Sequence, residues 1–355
     1  MQYIPALEQS GFSVTVAPFF DAAFFDLVYR PGRHAQKLAA FVRQSVERLK
    51  LLMSRDRYDA FFVYREAYPF GPALFEAALS HARGRPLVYD FDDAIFLSNS
   101  SDANRFASVL KYPQKVPAII GRSALVLAGN DYLAAYARQF NPSVAVLPTC
   151  VDTTVFVPRR SPRSTDAPPL VGWIGTPTTA AYLTSLGPSL ARVASRHRFE
   201  LRVSGSGAPL DFAGVKTSNE RWSVDREVEL FNTCDVGVYP LTDDEWAKGK
   251  CGFKAIQFMA CGVPVVAAAV GVNTEIIQDG VNGFLASTET EWDEKIGRLL
   301  ADANLRARVG AAGRKTIEER YSLHVNAPRL VTMLRDVTER KAYRGIGAPG
   351  VKDVA

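Results

Sequence analysis

Two charged clusters carry the chemistry open to this chain. The first is cationic. Lys248, Lys250 and Lys254 open a helix-period run that reaches Phe258 and Met259 and stops at Cys261-Gly262. Glycine supplies the left-handed residue a helix end needs, and Pro264 bars further helix. Val263, Val265 and Val266 read as a short buried parallel strand, at whose carboxyl end Gly271-Val272-Asn273 leads into a helix start at Thr274-Glu275-Ile276. Basic side chains at one helix N-terminus and a Gly turn before another suit an anionic group. The second cluster is acidic. Asp90-Phe91-Asp92-Asp93 ends an apolar strand, where three carboxylates repel one another at a cost that calls for a partner or a role. Arg65 and Glu66 end the neighbouring strand, which places Arg65 to pair with the acids.

Open parallel sheets bind ligands at the carboxyl ends of their strands, so the remaining strand ends matter next. Gly175-Thr176-Pro177-Thr178 and Ser204-Gly205-Ser206-Gly207 each follow a strand, and each is either a pyrophosphate-holding turn or a plain structural one. Trp222 is placed to stack on a base, or to fill core. Around these residues the N-terminal half alternates a helix at Tyr3–Gln9, a strand at Phe12–Val16, a long basic helix, and strands at 60–64, 86–90, 124–127 and 144–147. The C-terminal half alternates strands at 170–175, 199–204 and 235–240 with a helix over 180–196, and closes with helices at 289–303 and 305–320. This pattern predicts an α/β protein with parallel sheets covered on both faces.

At 355 residues the chain is long enough for two domains. No run of ~18 apolar residues exists to span a membrane, and the N-terminus lacks the basic-then-apolar pattern of a signal peptide. Cys150, Cys234, Cys251 and Cys261 have neither Cys-x-x-Cys spacing nor a nearby His, so reduced thiols in the cytoplasm are expected. The net charge of +5 points to an anionic partner, and much of it lies in one segment, Arg30 to Arg57. There Leu38, Phe41, Val42, Val46, Leu49 and Met53 recur at helical steps, giving an amphipathic helix with a cationic outer face over 33–57. That face is either solvated or in contact with anionic headgroups at the inner surface of the membrane. No aromatic-basic recognition motif accompanies the charge, which speaks against nucleic acid.

Met259-Ala260-Cys261-Gly262-Val263-Pro264-Val265-Val266, with Asp279-Gly280-Val281-Asn282-Gly283-Phe284 and Pro148-Thr149-Cys150-Val151-Asp152-Thr153-Thr154-Val155-Phe156, resembles glycosyltransferase family 4, the "group 1" family with the GT-B fold. The resemblance implies two Rossmann-like α/β domains facing each other across a cleft, an acceptor-side domain over 1–156 and a nucleotide-sugar-binding domain over 170–324, joined by a linker over 157–169. A helix at 325–340 would cross back to the first domain, before a flexible tail at 341–355. It implies a retaining transfer of a sugar from a nucleoside-diphosphate donor to a hydroxyl acceptor, with no cofactor besides the donor and no metal. The Asp90-x-Asp92 match to the metal motif of the other glycosyltransferase fold is too short to oppose this. The family's paired glutamates are Gly249 and Gln257 here, and its usual cation-bearing loop reads Thr176-Pro177-Thr178-Thr179-Ala180. The resemblance thus leaves Lys250 and Lys254 to stabilise the leaving group, facing Asp92 and Asp93. Gly175, Thr176, Ser204, Gly205, Trp222, Gln257, Gly271, Val272, Asn273 and Glu275 would bind the donor, with Arg65, Glu66 and Asp90 on the acceptor side. The family's opening strand is missing, and a start placed too late is the expected reason. A weakened nucleotide-sugar-binding or scaffold subunit of the same fold is the alternative function.

Overall fold

Short β-branched runs separated by helices can bury both faces only in parallel sheets, and two such sheets form. A computed structural model of the protein describes residues 1–30, 32–54, 57–81, 85–97, 112–161 and 167–345. Arg55, the centre of the linker and the tail beyond Gly345 lie outside these residues. The N-terminal sheet runs β1 (Phe61–Tyr64), β2 (Leu87–Phe91), β3 (Leu125–Ala128), β4 (Val144–Val146) in that order. Its register pairs Tyr64 with Asp90 and Asp90 with Leu127, so Arg65, Asp92 and Gly129 emerge at one end of the sheet.

The C-terminal sheet has six parallel strands in the order β10-β9-β8-β5-β6-β7. They are β5 (Leu170–Ile174), β6 (Glu200–Ser204), β7 (Lys216–Glu220), β8 (Val236–Tyr239), β9 (Val265–Ala268) and β10 (Phe284–Ala286). The chain winds outward from β5 through β6 and β7, then returns to β8 and winds the other way. The crevice of a doubly wound sheet opens at that reversal, outside the ends of β5 and β8, beside Gly175 and Pro240. Helix Phe253–Ala260 covers this sheet closely because Gly237 leaves room for the Phe258 ring.

The two domains are joined at adjacent points. Val151 bridges to Ser322, with the Val151 N–H donating to the Tyr321 carbonyl at 3.0 Å. The helix Leu323–Gly345 then lies on the N-terminal domain, with Leu330 and Leu334 against Val88, Leu127 and Leu147. Arg314 donates to the carbonyls of Thr153 (2.8 Å) and Ala260 (2.6 Å), which fixes the turn after Val151 to the C-terminal domain.

Three expectations change. Residues 12–16 form no strand: a strand needs a partner, and among the described residues none pairs with them or with the outer edge of β1. The helix expected over 180–196 breaks into Ala180–Ser185 and Gly187–Ala194, because Pro188 has no N–H to continue the first. The basic helix, His34–Met53, packs with a different face than its periodicity suggests, as described below.

Candidate functional site

At the end of β1 the chain turns sharply through Arg65, whose φ of 58° is a left-handed conformation that costs free energy for any residue but glycine. The turn is held by its N–H, which donates to the Asp90 carbonyl at 2.8 Å. It is held as well by its guanidinium, which donates to Asp92 at 2.7 Å and Asp93 at 2.6 Å. The Tyr64 hydroxyl adds a bond to the other Asp92 oxygen at 2.8 Å. Burial works against the Arg65 charge, but Asp92, Tyr64 and Asp93 hold its pKa above the ordinary value. Burial raises the Asp93 carboxyl, against the pull of Arg65 and Lys250. Burial and then repulsion from Asp92 push Asp90 up to about 7. Glu66 turns the other way, into an ion pair with the buried Lys115 at 2.6 Å.

The lysine-rich loop meets this cluster from the C-terminal domain. Lys250 Nζ stands 4.0 Å from Asp93 and over the Trp246 ring at 5.6 Å. The loop is clamped to the N-terminal domain by Asn130, which caps helix Asp131–Arg138 and donates to the Lys250 carbonyl at 3.0 Å. Cys251 Sγ donates to the Asp92 carbonyl at 3.2 Å, against Gly129, where a Cβ would fall 2.4 Å from that sulfur. Lys254, in the first turn of helix 253–260, is shared between Gln257 at 2.8 Å and Glu227 at 3.5 Å. Burial lowers its pKa, and Glu227 partly offsets this.

Gly249 stands where the resembling family carries its first glutamate, and the structure gives the reason for the change. A Cβ there would lie 2.5 Å from Ala94 Cβ and 2.9 Å from its N, with Ala94 wholly buried between the domains. The close approach of the two domains excludes a side chain. Gly249→Ala is expected to cost about 1–3 kcal/mol by overpacking this seam, read as a lower midpoint in urea denaturation. An unchanged midpoint would mean that the domains part there at little cost. Gln257 fills the second glutamate position. It is fully buried, with its Oε1 bound to Lys254 and its Nε2 without a hydrogen-bond partner.

One cleft of about 3630 Å³ between the domains brings together Asp90, Asp92, Asp93, Lys250 and Lys254 with the acceptor-side pair Arg65 and Glu66. The turn at Gly175 and Thr176 lines it too. Gly175 is required there, since a Cβ would fall 2.3 Å from the Trp173 ring. Ser204, Gly205 and Trp222 lie behind this turn: a Cβ on Gly205 would meet the Gly175 carbonyl at 2.3 Å and Trp222 Cβ at 3.3 Å. Gly271, Val272 and Asn273 pack beneath the lysine-rich loop. Gly271 lies against Lys248, and the buried Asn273 donates to the Ala268 carbonyl at 3.0 Å. Glu275 is exposed beyond them, its carboxyl raised by burial and by Asp131 across the seam. Tyr64, Asn130 and Trp246 were not found from the sequence, although Asn130 follows the end of β3 and the strand-end rule points there. Among the described residues no group of three or more His, Cys, Asp or Glu is placed to hold a metal.

Residues 169–302 match the family model described as "Glycosyl transferases group 1". A D-inositol 3-phosphate glycosyltransferase of Stackebrandtia nassauensis is 30% identical over 260 residues, covering 62% of this chain and 55% of the relative. The chain thus spans about half the length of that relative, and 28% of a second, from Xylanimonas cellulosilytica. Among solved structures, sucrose-phosphate synthase from Thermosynechococcus elongatus superposes with a TM-score of 0.62 at 16% identity, covering 86% of this chain and 80% of that one. The Anabaena protein HepE, in complex with UDP and glucose, superposes with a TM-score of 0.58 at 17% identity, over 81% of this chain and 80% of that one. These likenesses establish the GT-B fold.

Proposed function

We propose that the chain transfers a sugar from a nucleoside-diphosphate donor to a hydroxyl acceptor, because residues 169–302 match the group 1 glycosyl transferase model within a GT-B fold. The observation that carries this reading is the meeting of Lys250 and Lys254 with Asp92 and Asp93 in one interdomain cleft. The donor diphosphate belongs at the sheet reversal beside Gly175 and Thr176, with Trp222 at the base end. The N-terminus of helix 253–260, with Lys254 in its first turn and Lys250 in the loop before it, would face the bond to be broken. As the bond from the anomeric carbon to the phosphate oxygen breaks, its electron pair goes to the diphosphate, whose growing charge the two lysines stabilise. The acceptor oxygen bonds to the same face of the sugar and its proton passes to the departing phosphate oxygen, so configuration is retained. Asp92 and Asp93, fixed by Arg65, would accept bonds from the sugar hydroxyls. The reaction needs no metal, and a cytoplasmic supply of nucleotide sugar suits it.

HepE was crystallised with UDP and glucose, so uridine diphosphate sugars come first in the test. A bound donor at ~100 times its dissociation constant adds about 2.7 kcal/mol of stability, which a thermal-shift screen of uridine, guanosine and adenosine diphosphate sugars reads directly. A shift followed by release of nucleoside diphosphate with an acceptor supports the transferase. A shift without release under any acceptor supports the alternative, a nucleotide-sugar-binding subunit, which the replacement of both family glutamates favours. No shift with any donor sinks both.

A further inference from the structure

Helix His34–Met53 turns Phe41, Gln44, Ser45, Arg48, Leu51 and Leu52 toward its own domain and an aliphatic row outward. Gln44 is buried and donates to Asp21 at 2.6 Å, Ser45 bonds the Tyr68 hydroxyl at 3.0 Å, and Phe41 packs edge-on to Phe19. Arg48 sits over the Phe19 and Phe75 rings at 5.9 Å. The outward row is Leu38, Val42, Val46, Leu49 and Met53, which are 64%, 52%, 43%, 58% and 77% exposed. At about 100° per residue these five fall within an arc of roughly 80°. Arg43 and Lys50 border the arc on its solvent side, paired with Asp21 at 2.8 Å and Glu47 at 2.7 Å, and Val28, also exposed, lies beyond the helix start, its carbonyl accepting from Lys37 at 3.0 Å. A solvated helix would carry its polar residues on this face.

We propose that this row is a docking surface for an anionic lipid bilayer, lying in the interface with its leucines, valines and methionine among the acyl chains. Charge selects this occupant. Between residues 30 and 57 the described cations outnumber the described acids: Arg43 pairs with Asp21, Lys50 with Glu47, and Arg48 turns inward, which leaves Arg30, Arg33, Lys37 and Arg57 without an acidic partner among the described residues. A second copy of the chain would bring like charge to like charge, whereas an anionic headgroup layer is complementary. No helix among the described residues is long and apolar enough to cross a membrane, so the contact is peripheral. Leu38 and Val28 also line the cleft that holds Asp92, Asp93 and Lys250. An acceptor hydroxyl carried on a lipid would therefore enter from the docked bilayer. This choice of acceptor class rests on the transferase reading; the docking surface does not.

The test is co-sedimentation of the full chain with vesicles of phosphatidylcholine alone and of phosphatidylcholine mixed equally with phosphatidylglycerol. Binding to the anionic vesicles only is expected. Arg43→Gln with Lys50→Gln should weaken it about five-fold per charge, and Leu49→Gln with Met53→Gln at least about ten-fold. Both variants should keep the nucleotide-sugar thermal shift and their melting curves, since these side chains are exposed. The proposal fails if the wild-type chain stays in the supernatant with anionic vesicles, or if the apolar-row variant binds as well as wild type. It also fails if light scattering shows a dimer that the apolar-row variant splits. Vesicle binding that persists when no nucleotide sugar shifts the melting point would sink the transferase reading and keep the docking surface. Transfer to a water-soluble acceptor but never to a vesicle-borne one, with binding intact, would overturn the lipid acceptor alone.

Discussion

Lys250→Ala is expected to lower kcat by roughly 10²–10³, the usual effect of removing one preorganised charge donor from a developing anion, while the donor KM changes much less. The two lysines are not equal. Lys254 spends its charge on Glu227 at 3.5 Å and on Gln257 at 2.8 Å. Among the described residues, Lys250 has the long contact to Asp93 at 4.0 Å, the Trp246 ring beneath it and a weaker attraction to Asp244. It is thus the cation with charge to give when the diphosphate leaves. Such an interaction is made mainly in the transition state, so its loss appears in kcat rather than in binding. Lys250→Arg should recover part of the rate, because the charge returns on a fork of different reach. Lys254→Ala should show the opposite balance. Its kinetic effect is smaller, and it destabilises the domain by leaving Glu227, itself largely buried, without its cation. Initial rates of nucleoside-diphosphate release for the three variants, beside urea denaturation, separate these outcomes. A Lys250→Ala enzyme within about three-fold of wild type would mean that the leaving charge is met elsewhere.

The fold was legible because its signals are local. The run Met259 to Val266, the Gly turns at Gly175 and Gly205 and the alternation of helices with β-branched strands each fix a short piece of chain, and parallel sheets follow from their order. The charged ends of β1 and β2 were legible for the same reason: strand ends share one side of a parallel sheet, so Arg65 and Asp92 had to meet. What the sequence hid depends on contacts between the domains. Gly249 reads as the loss of a carboxylate, and only the approach of Ala94 explains why no side chain fits. Asn130 reads as an N-cap, yet its amide also holds the Lys250 loop at 3.0 Å. The long basic helix misled because periodicity gives the existence of an apolar arc and not its direction. The Phe19, Tyr68 and Phe75 rings that accept Phe41 and Arg48 come from distant segments, and they turn the aliphatic row outward.

The acid cluster itself should weaken the protein in a way that pH reveals. Asp90 has a folded-state pKa of about 7 against an ordinary value of 3.8, from burial first and Asp92 second. An acid whose pKa is raised on folding binds its proton more tightly in the native state. The native state is therefore favoured while that proton is bound, and stability falls as pH rises from about 4 to about 7, then levels. A shift of about three units corresponds to up to roughly 4 kcal/mol. Asp90→Asn keeps the shape and removes the charge, so the variant should be more stable than wild type near pH 8 and nearly equal to it near pH 4. Arg65 keeps its ion pairs with Asp92 and Asp93 in both proteins. The difference between wild type and variant, taken from urea midpoints across this range, isolates Asp90. Parallel pH profiles would show that Asp90 is ionised throughout. A converging pair would show that the site holds a carboxylate at a standing cost to the fold, which makes it a better candidate for a working group than for a structural one.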